Sequence, residues 1–234
     1  MIKKIIGVVP ARGGSKGIKE KNIKSLQGLP LINYTLNVGR KTNLDRLIVS
    51  TDSSKIKSIV EKNNVNVPFI RPANLSGDNS SSIDVAIHAL ESMEKIDGVK
   101  YDAVMLLQPT TPFRSVEDIN SAIKLLNDNK DADSVISVVD VGATHPARMK
   151  YFEDGFLIDP PFCEEKENQN RQELDKMYIR NGAIYLTKRE TLLSRSFKGE
   201  NCLGLEMPIE RSVNIDTMDD FRYAEFILGV DKDD

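Results

Sequence analysis

Residues 8–22 read VVPARGGSKGIKEKN, which places three glycines and four cations directly after a short apolar run. Glycines at this density let backbone N–H groups turn toward one point, here those of Ala11, Gly13, Gly14 and Ser15. Arg12, Lys16 and Lys21 add full positive charges at that point, and Asn22 closes the stretch. Convergent amides with three cations suit a polyphosphate. The spacing matches neither GxxxxGK[ST] nor GxGxxG, so the chemistry predicted is nucleoside triphosphate binding by a different loop. The competing structural reading is a solvated basic turn.

Other residue types that could do chemistry are sparse. His88 and His145 are the only histidines; the first falls inside an amphipathic run, the second precedes a proline, and neither stands out as a general base. Asp131-Ala132-Asp133 has the letters of the Asp-x-Asp metal motif of nucleotide-sugar glycosyltransferases, but it precedes an apolar strand and so lies at that strand's amino end. Cys163 and Cys202 lack CxxC spacing, which points to neither a zinc site nor a disulfide framework, and the chain reads as cytoplasmic with both thiols reduced.

The elements that must position these residues alternate. Apolar, β-branched runs at 5–9, 47–51, 67–70, 104–107 and 135–139 are interleaved with amphipathic runs at 31–38, 56–62, 83–93 and 119–126. That rhythm predicts βαβ units and an α/β fold with a mostly parallel, doubly wound, Rossmann-like sheet covered by helices on both faces. Ser80-Ser81-Ser82, Ser115 and Thr217 are candidate helix caps, the last opening a C-terminal helix through Phe221, Ala224 and Ile227. In such a sheet ligands bind outside the carboxyl ends of the strands, which is where the loop after residues 5–9 lies. Residues 142–177 interrupt the rhythm with a polar insertion, predicted to be functional or an oligomer contact, within one domain spanning 1–234.

The 234 residues carry a net charge of −3, with 40% hydrophobic and 29% charged residues. This is ordinary globular composition and gives no sign of nucleic-acid or membrane partners. No apolar stretch approaches a transmembrane length.

Taken in order, PARGGSKGxxxKN, Ser50-Thr51-Asp52-Ser53, Arg71-Pro72, Gln108-Pro109-Thr110-Thr111-Pro112-Phe113-Arg114, Asn181-Gly182-Ala183-Ile184-Tyr185 and Asn214-Ile215-Asp216-Thr217 resemble the acylneuraminate cytidylyltransferases, the CMP-sialic acid synthetases. The resemblance runs from about residue 4 to residue 228. It implies a nucleotidyltransferase that moves CMP from CTP to the anomeric hydroxyl of a nine-carbon 2-keto sugar acid, with Mg²⁺ as cofactor and a homodimer as the assembly. By that resemblance Arg12 and Lys21 are triphosphate cations, and Asn22, Arg71 and Ser82 ribose or cytosine contacts. Gln108, Arg148, Arg171 and Asn181 face the sugar acid, and Asp216 with Asn214 holds the metal. The same resemblance leaves other acceptors open, legionaminate and the eight-carbon lipopolysaccharide acid among them.

Two departures carry consequences. The family commonly has Asp-Ile-Asp where this chain has Asn214-Ile215-Asp216, which removes one anionic metal ligand. Some sialic acid enzymes have an arginine two residues before the Asn of NGAIY. Here that place is Ile179, with Arg180 one position later, so the substrate carboxylate is expected to rely on Arg148 and Arg171. Alternation along a strand lets Arg180 replace position 179 only across a bulge or register shift.

Overall fold

The computed structural model describes residues 2–230. Its centre is a six-stranded sheet built from β1 (Ile5–Pro10), β4 (Arg46–Ser50), β5 (Ala103–Leu106), β6 (Ser134–Asp140), β9 (Tyr178–Lys188) and β10 (Cys202–Glu206), in spatial order β10-β6-β9-β5-β1-β4. Pairing is parallel for β1 with β4 and β5 and for β6 with β10, whereas β9 runs antiparallel to both β5 and β6. Two small hairpins, β2 (Ser25–Leu26) with β3 (Leu29–Pro30) and β7 (Tyr151–Glu153) with β8 (Phe156–Ile158), lie outside it.

The helices are α1 (Leu31–Gly39), α2 (Ser54–Lys62), α3 (Ser82–Asp97), α4 (Val116–Asp128), α5 (Arg189–Leu193) and α6 (Met218–Val230). Their apolar stripes bury the sheet on both faces, which explains why β1 is a continuous apolar run rather than an alternating one. Ile5 and Val9 join a core with Ile32 and Leu36 of α1 and Ile119 and Leu126 of α4. Ile6 and Val8 face the other way, against Ala86, Leu90 and Met93 of α3. Each Ile, Val, Leu or Met among them contributes about 1.5–3 kcal/mol on burial. A third cluster packs Phe221 and Ala224 of α6 on Ile18, Leu26 and Ile215, and so anchors the C-terminal helix beside the glycine-rich loop.

The helix starts follow the caps read from the sequence. Ser81 caps α3, and Ser115 opens α4 in a reciprocal capping box with Asp118. One expected strand is absent. Residues 67–70 make only one isolated bridge, Thr51 with Ile70, and a second joins Ile48 to the preceding Asn66, because Pro68 has no N–H to continue a ladder. The β2–β3 hairpin, α5, β10 and the β7–β8 hairpin escaped the sequence reading. The edge strand β10 is short and divided by Gly204, and the β7–β8 hairpin was signalled only by Asp154-Gly155, whose φ values of 48° and 89° are those of a tight hairpin turn.

Candidate active site

The carboxyl ends of β1, β4 and β5 lie side by side, and the loops leaving β1 and β5 line one cavity of about 580 Å³. At the end of β1 the Ala11 N–H donates to the Ser50 carbonyl at 3.0 Å and holds the loop to β4. The Gly13 N–H then donates to Asp52 Oδ1 at 2.8 Å. Buried Asn22 braces the loop from below, its Nδ2 donating to the Arg12 carbonyl at 3.1 Å. These contacts leave the side chains of Arg12, Ser15, Lys16 and Lys21 on the cavity wall.

The turn at 214–216 closes the opposite side of this loop. Lys21 Nζ donates to the Ile215 carbonyl at 2.7 Å and to Asp216 Oδ1 at 2.9 Å. Asn214 Nδ2 donates to Asp216 Oδ2 at 2.7 Å, so each oxygen of the aspartate has a partner. The turn is seated by the Ile215 N–H on the Thr110 carbonyl, at 2.7 Å, and by Asp220, whose carboxylate accepts from the N–H groups of Asp216 and Thr217. One backbone contact thus ties the Asn214–Asp216 turn to the loop that carries Gln108.

The loop at Gln108 is held from inside the protein. Arg114 is fully buried; its Nη1 donates to Thr35 Oγ1 at 2.7 Å and its Nη2 to the Gln108 carbonyl. Burial pulls this guanidinium down to about 9, with nearby Asp118 opposing the shift. Gly182, at φ 80°, lies against the same loop. A Cβ there would come within 2.8 Å of Gln108 Oε1 and 3.2 Å of Thr111 Oγ1, so only glycine fits this approach. Arg71 is buried on the remaining wall, 3.9 Å from Asp52, with Nε and Nη2 unpartnered. Burial lowers its pKa, Asp52 opposes, and the positive charge of Arg12 adds to the fall.

One cavity therefore gathers Arg12, Lys16, Lys21, Asn22, Arg71, Ser82, Gln108, Asn214 and Asp216. The sequence matches the cytidylyltransferase family over residues 6–218. The chain belongs to that family. It is 31% identical to the CMP-N,N'-diacetyllegionaminic acid synthase of Legionella pneumophila, over 98% of both chains. It is 32% identical to the N-acylneuraminate cytidylyltransferase of Escherichia coli O18:K1:H7 over 96% of this chain, which spans only 52% of that relative. In fold it is similar to a CMP:2-keto-3-deoxy-manno-octonic acid synthetase solved with CTP, at a TM-score of 0.74 and 16% identity over 98% of this chain and all of that one.

As a cytidylyltransferase, the chain keeps several of the residues singled out from its sequence off the wall of this cavity. Asn181 is not on the cavity wall: its Oδ1 accepts from Ser137 Oγ at 2.6 Å and the Ala183 N–H at 3.1 Å, while Nδ2 donates to Ser212 Oγ at 2.9 Å. With its amide spent inside the protein, it shapes the strand. That strand is irregular here: Ile136 faces Tyr185 and Val138 faces Arg180, so two steps along β6 match five along β9. The register shift that the alternation argument allowed as an exception is present. Arg180 is exposed and has no ion-pair partner among the described residues.

Arg148 and Arg171 also lie away from the cavity wall. Arg148 Nη2 donates to the Gln169 carbonyl at 2.6 Å and its Nε is 3.8 Å from Glu164, both within the insertion. Arg171 is 3.6 Å from Asp140 at the end of β6. His145 is structural, accepting from the Ala147 N–H at Nδ1 and meeting the Asp175 carbonyl at Nε2. His88 packs edge-on against Phe69 with its ring 5.0 Å away. Asp133 of the Asp-x-Asp letters accepts from the N–H groups of Glu200 and Asn201 at the amino end of β6, away from the cavity. Ala11, Gly13 and Gly14 form the loop's backbone without lining the main cavity.

Sequence reasoning missed Asp78. Its Oδ1 is 2.7 Å from Arg12 Nη1 and its Oδ2 2.9 Å from Lys16 Nζ, and these two partners, Lys16 foremost, hold its carboxyl below the usual range. The only signal was its place in a Ser-Gly-Asp-Asn turn, six residues after Pro72 and four before Ser82.

Proposed function

We propose that the chain transfers CMP from CTP to the anomeric hydroxyl of a nine-carbon 2-keto sugar acid and releases pyrophosphate. The observation that carries this reading is the single cavity in which the cationic loop, the Asn214–Asp216 turn and Gln108 meet. Attack of a sugar hydroxyl on an α-phosphate needs the two aligned and the growing charge on the leaving pyrophosphate offset, which is positioning and electrostatics. Arg12, Lys16 and Lys21 supply that charge to the phosphates. Arg71 and Ser82 lie on the same wall for the nucleoside, and Gln108, fixed through its carbonyl by Arg114, faces the sugar.

The donor set at 214–216 is one carboxylate and one amide, and no group of three or more His, Cys, Asp or Glu that could hold a metal occurs among the described residues. Such a set fits a Mg²⁺ that arrives with most of its oxygens on the nucleotide. When bound there, Mg²⁺ would shield the charge of the phosphates.

The assembly proposed is a homodimer in the cytoplasm. On the β7–β8 hairpin, Phe152 is 74% exposed, Phe156 73% and Leu157 71%, an apolar surface of the kind a second subunit covers. Arg148 lies in the same insertion and off its own cavity, which supports a role for it at the neighbouring site. No helix of the described residues is long and apolar enough to cross a membrane.

Among nine-carbon acids, legionaminate is the acceptor favoured beside N-acetylneuraminate by the full-length match to the Legionella synthase. A pyrophosphate-release screen with CTP and Mg²⁺ over N-acetylneuraminate, legionaminate and the eight-carbon acid tests both. Release with a nine-carbon acid is expected. Release with the eight-carbon acid alone, or with none, would overturn the proposal.

A further inference from the structure

Asp78 occupies the place where a polyphosphate would be expected to put its charge. It follows a short 3₁₀ turn at Ala73–Leu75 and lines the cavity together with Arg12 and Lys16, each of its oxygens engaging one of the two cations. The turn that presents it is braced within itself. Ser76 Oγ donates to the Pro72 carbonyl at 2.9 Å, Ser80 Oγ to the Asn74 carbonyl at 3.3 Å and the Ser80 N–H to the Gly77 carbonyl at 3.2 Å. The carboxylate is 45% exposed, so it can rotate into water when released. Its presence also counters a repulsion, because Arg12 and buried Arg71 line the same cavity and the charge of the first disfavours that of the second.

From these contacts we infer that Asp78 is a stand-in anion, holding Arg12 and Lys16 in place and yielding them when a polyphosphate binds, so that this one side chain sets nucleotide affinity. Asp78 is a positioning residue acting through the two cations. The inference rests on the reading that Arg12 and Lys16 meet the phosphates of CTP. It has a discriminating consequence: ligands with the outer phosphates compete with Asp78, and CMP, which lacks them, does not.

The test is titration calorimetry of CTP, pyrophosphate and CMP into four proteins: wild type, Asp78→Asn, Arg12→Ala and Asp128→Asn. Asp128, paired with Lys124 at 2.6 Å at the end of α4, controls for loss of one negative charge. Asp78→Asn should bind CTP and pyrophosphate roughly three- to ten-fold more tightly at low salt, with the gain shrinking as ionic strength rises. CMP binding should change by less than about two-fold, and Asp128→Asn should match wild type. Arg12→Ala should bind CTP more weakly. If the Asn variant is poorly folded, Asp78→Ser gives the same readout. Unchanged or weaker CTP binding in the Asp78 variants, beside a weakened Arg12→Ala, would overturn the inference alone. Equal tightening by Asp128→Asn would also overturn it. CTP binding in Arg12→Ala equal to wild type would overturn the phosphate-loop reading, and the inference with it.

Discussion

Gly17 lies directly against the backbone of Asp216: a Cβ on the glycine would come within 2.3 Å of the Asp216 carbonyl oxygen. The cationic loop and the Asn214–Asp216 turn are therefore packed as one unit, although 199 positions separate them in the sequence numbering. The contact makes Gly17→Ala disruptive, since backbone has to move to admit the methyl group. The variant should lose about 1–3 kcal/mol of stability and at least ten-fold in kcat/KM. At Gly14 a Cβ would meet nothing within 4 Å, so Gly14→Ala should stay within about 0.5 kcal/mol of wild type. Denaturation of both variants checks the pair, and equal losses would contradict the packing argument.

The partners of Asp216 bear on the Mg²⁺ proposed for this turn. With Lys21 on one oxygen and Asn214 on the other, the carboxylate is already satisfied before a cation arrives. Calorimetry should show little Mg²⁺ binding to the free protein and clear binding once CTP is present. Asp216→Ala should lower kcat/KM by about a hundred-fold or more. Tight Mg²⁺ binding without nucleotide would count against this arrangement.

The fold was legible because β1, β5 and β6 are short, continuous apolar runs and the stripes of α3 and α4 keep the helical period. What escaped depended on distant partners. Asp78 became visible only when the turn after Arg71 was laid over Arg12 and Lys16. The resemblance of the NGAIY motif implies a sugar contact at Asn181; its hydrogen bonds to Ser137 and Ser212 are long-range and leave no periodic trace. Arg114 stood within a recognised motif, but its burial beneath Gln108 could not be read from spacing.

Arg148 and Arg171 lie off the cavity wall of their own chain, which separates two outcomes. If the insertion reaches a neighbouring site, Arg148→Ala should raise KM for the sugar acid by roughly ten-fold while KM for CTP stays within about three-fold. Arg171→Ala is expected to behave alike. Heterodimers pairing an Arg148→Ala subunit with an Arg12→Ala subunit should regain part of the activity, because one hybrid site holds both arginines. Heterodimers no more active than the separate variants would exclude a shared site.

His88 gives a pH signature on stability. Burial pushes its imidazole below the usual range, with Arg71 adding to the fall and Glu91 opposing it. The fold holds the ring neutral, while the unfolded chain takes up a proton near pH 6.5. The stabilising contribution is thus full above about pH 6.5 and is lost as the pH falls through the lower folded value. Denaturation of His88→Gln at about pH 7.5 and about pH 5 should show a smaller acid-side loss than wild type. Parallel losses in the two proteins would remove His88 as the cause.

The chemistry itself is read most directly by phosphorus NMR of a reaction containing CTP, Mg²⁺ and a nine-carbon 2-keto sugar acid. Transfer of CMP to the anomeric oxygen should replace the three CTP resonances with one phosphodiester signal and pyrophosphate in equal amounts, and Arg12→Ala should slow that change by about ten-fold or more. Orthophosphate with CDP, free CMP with no sugar phosphodiester, or an unchanged CTP spectrum with every acid offered would contradict the account.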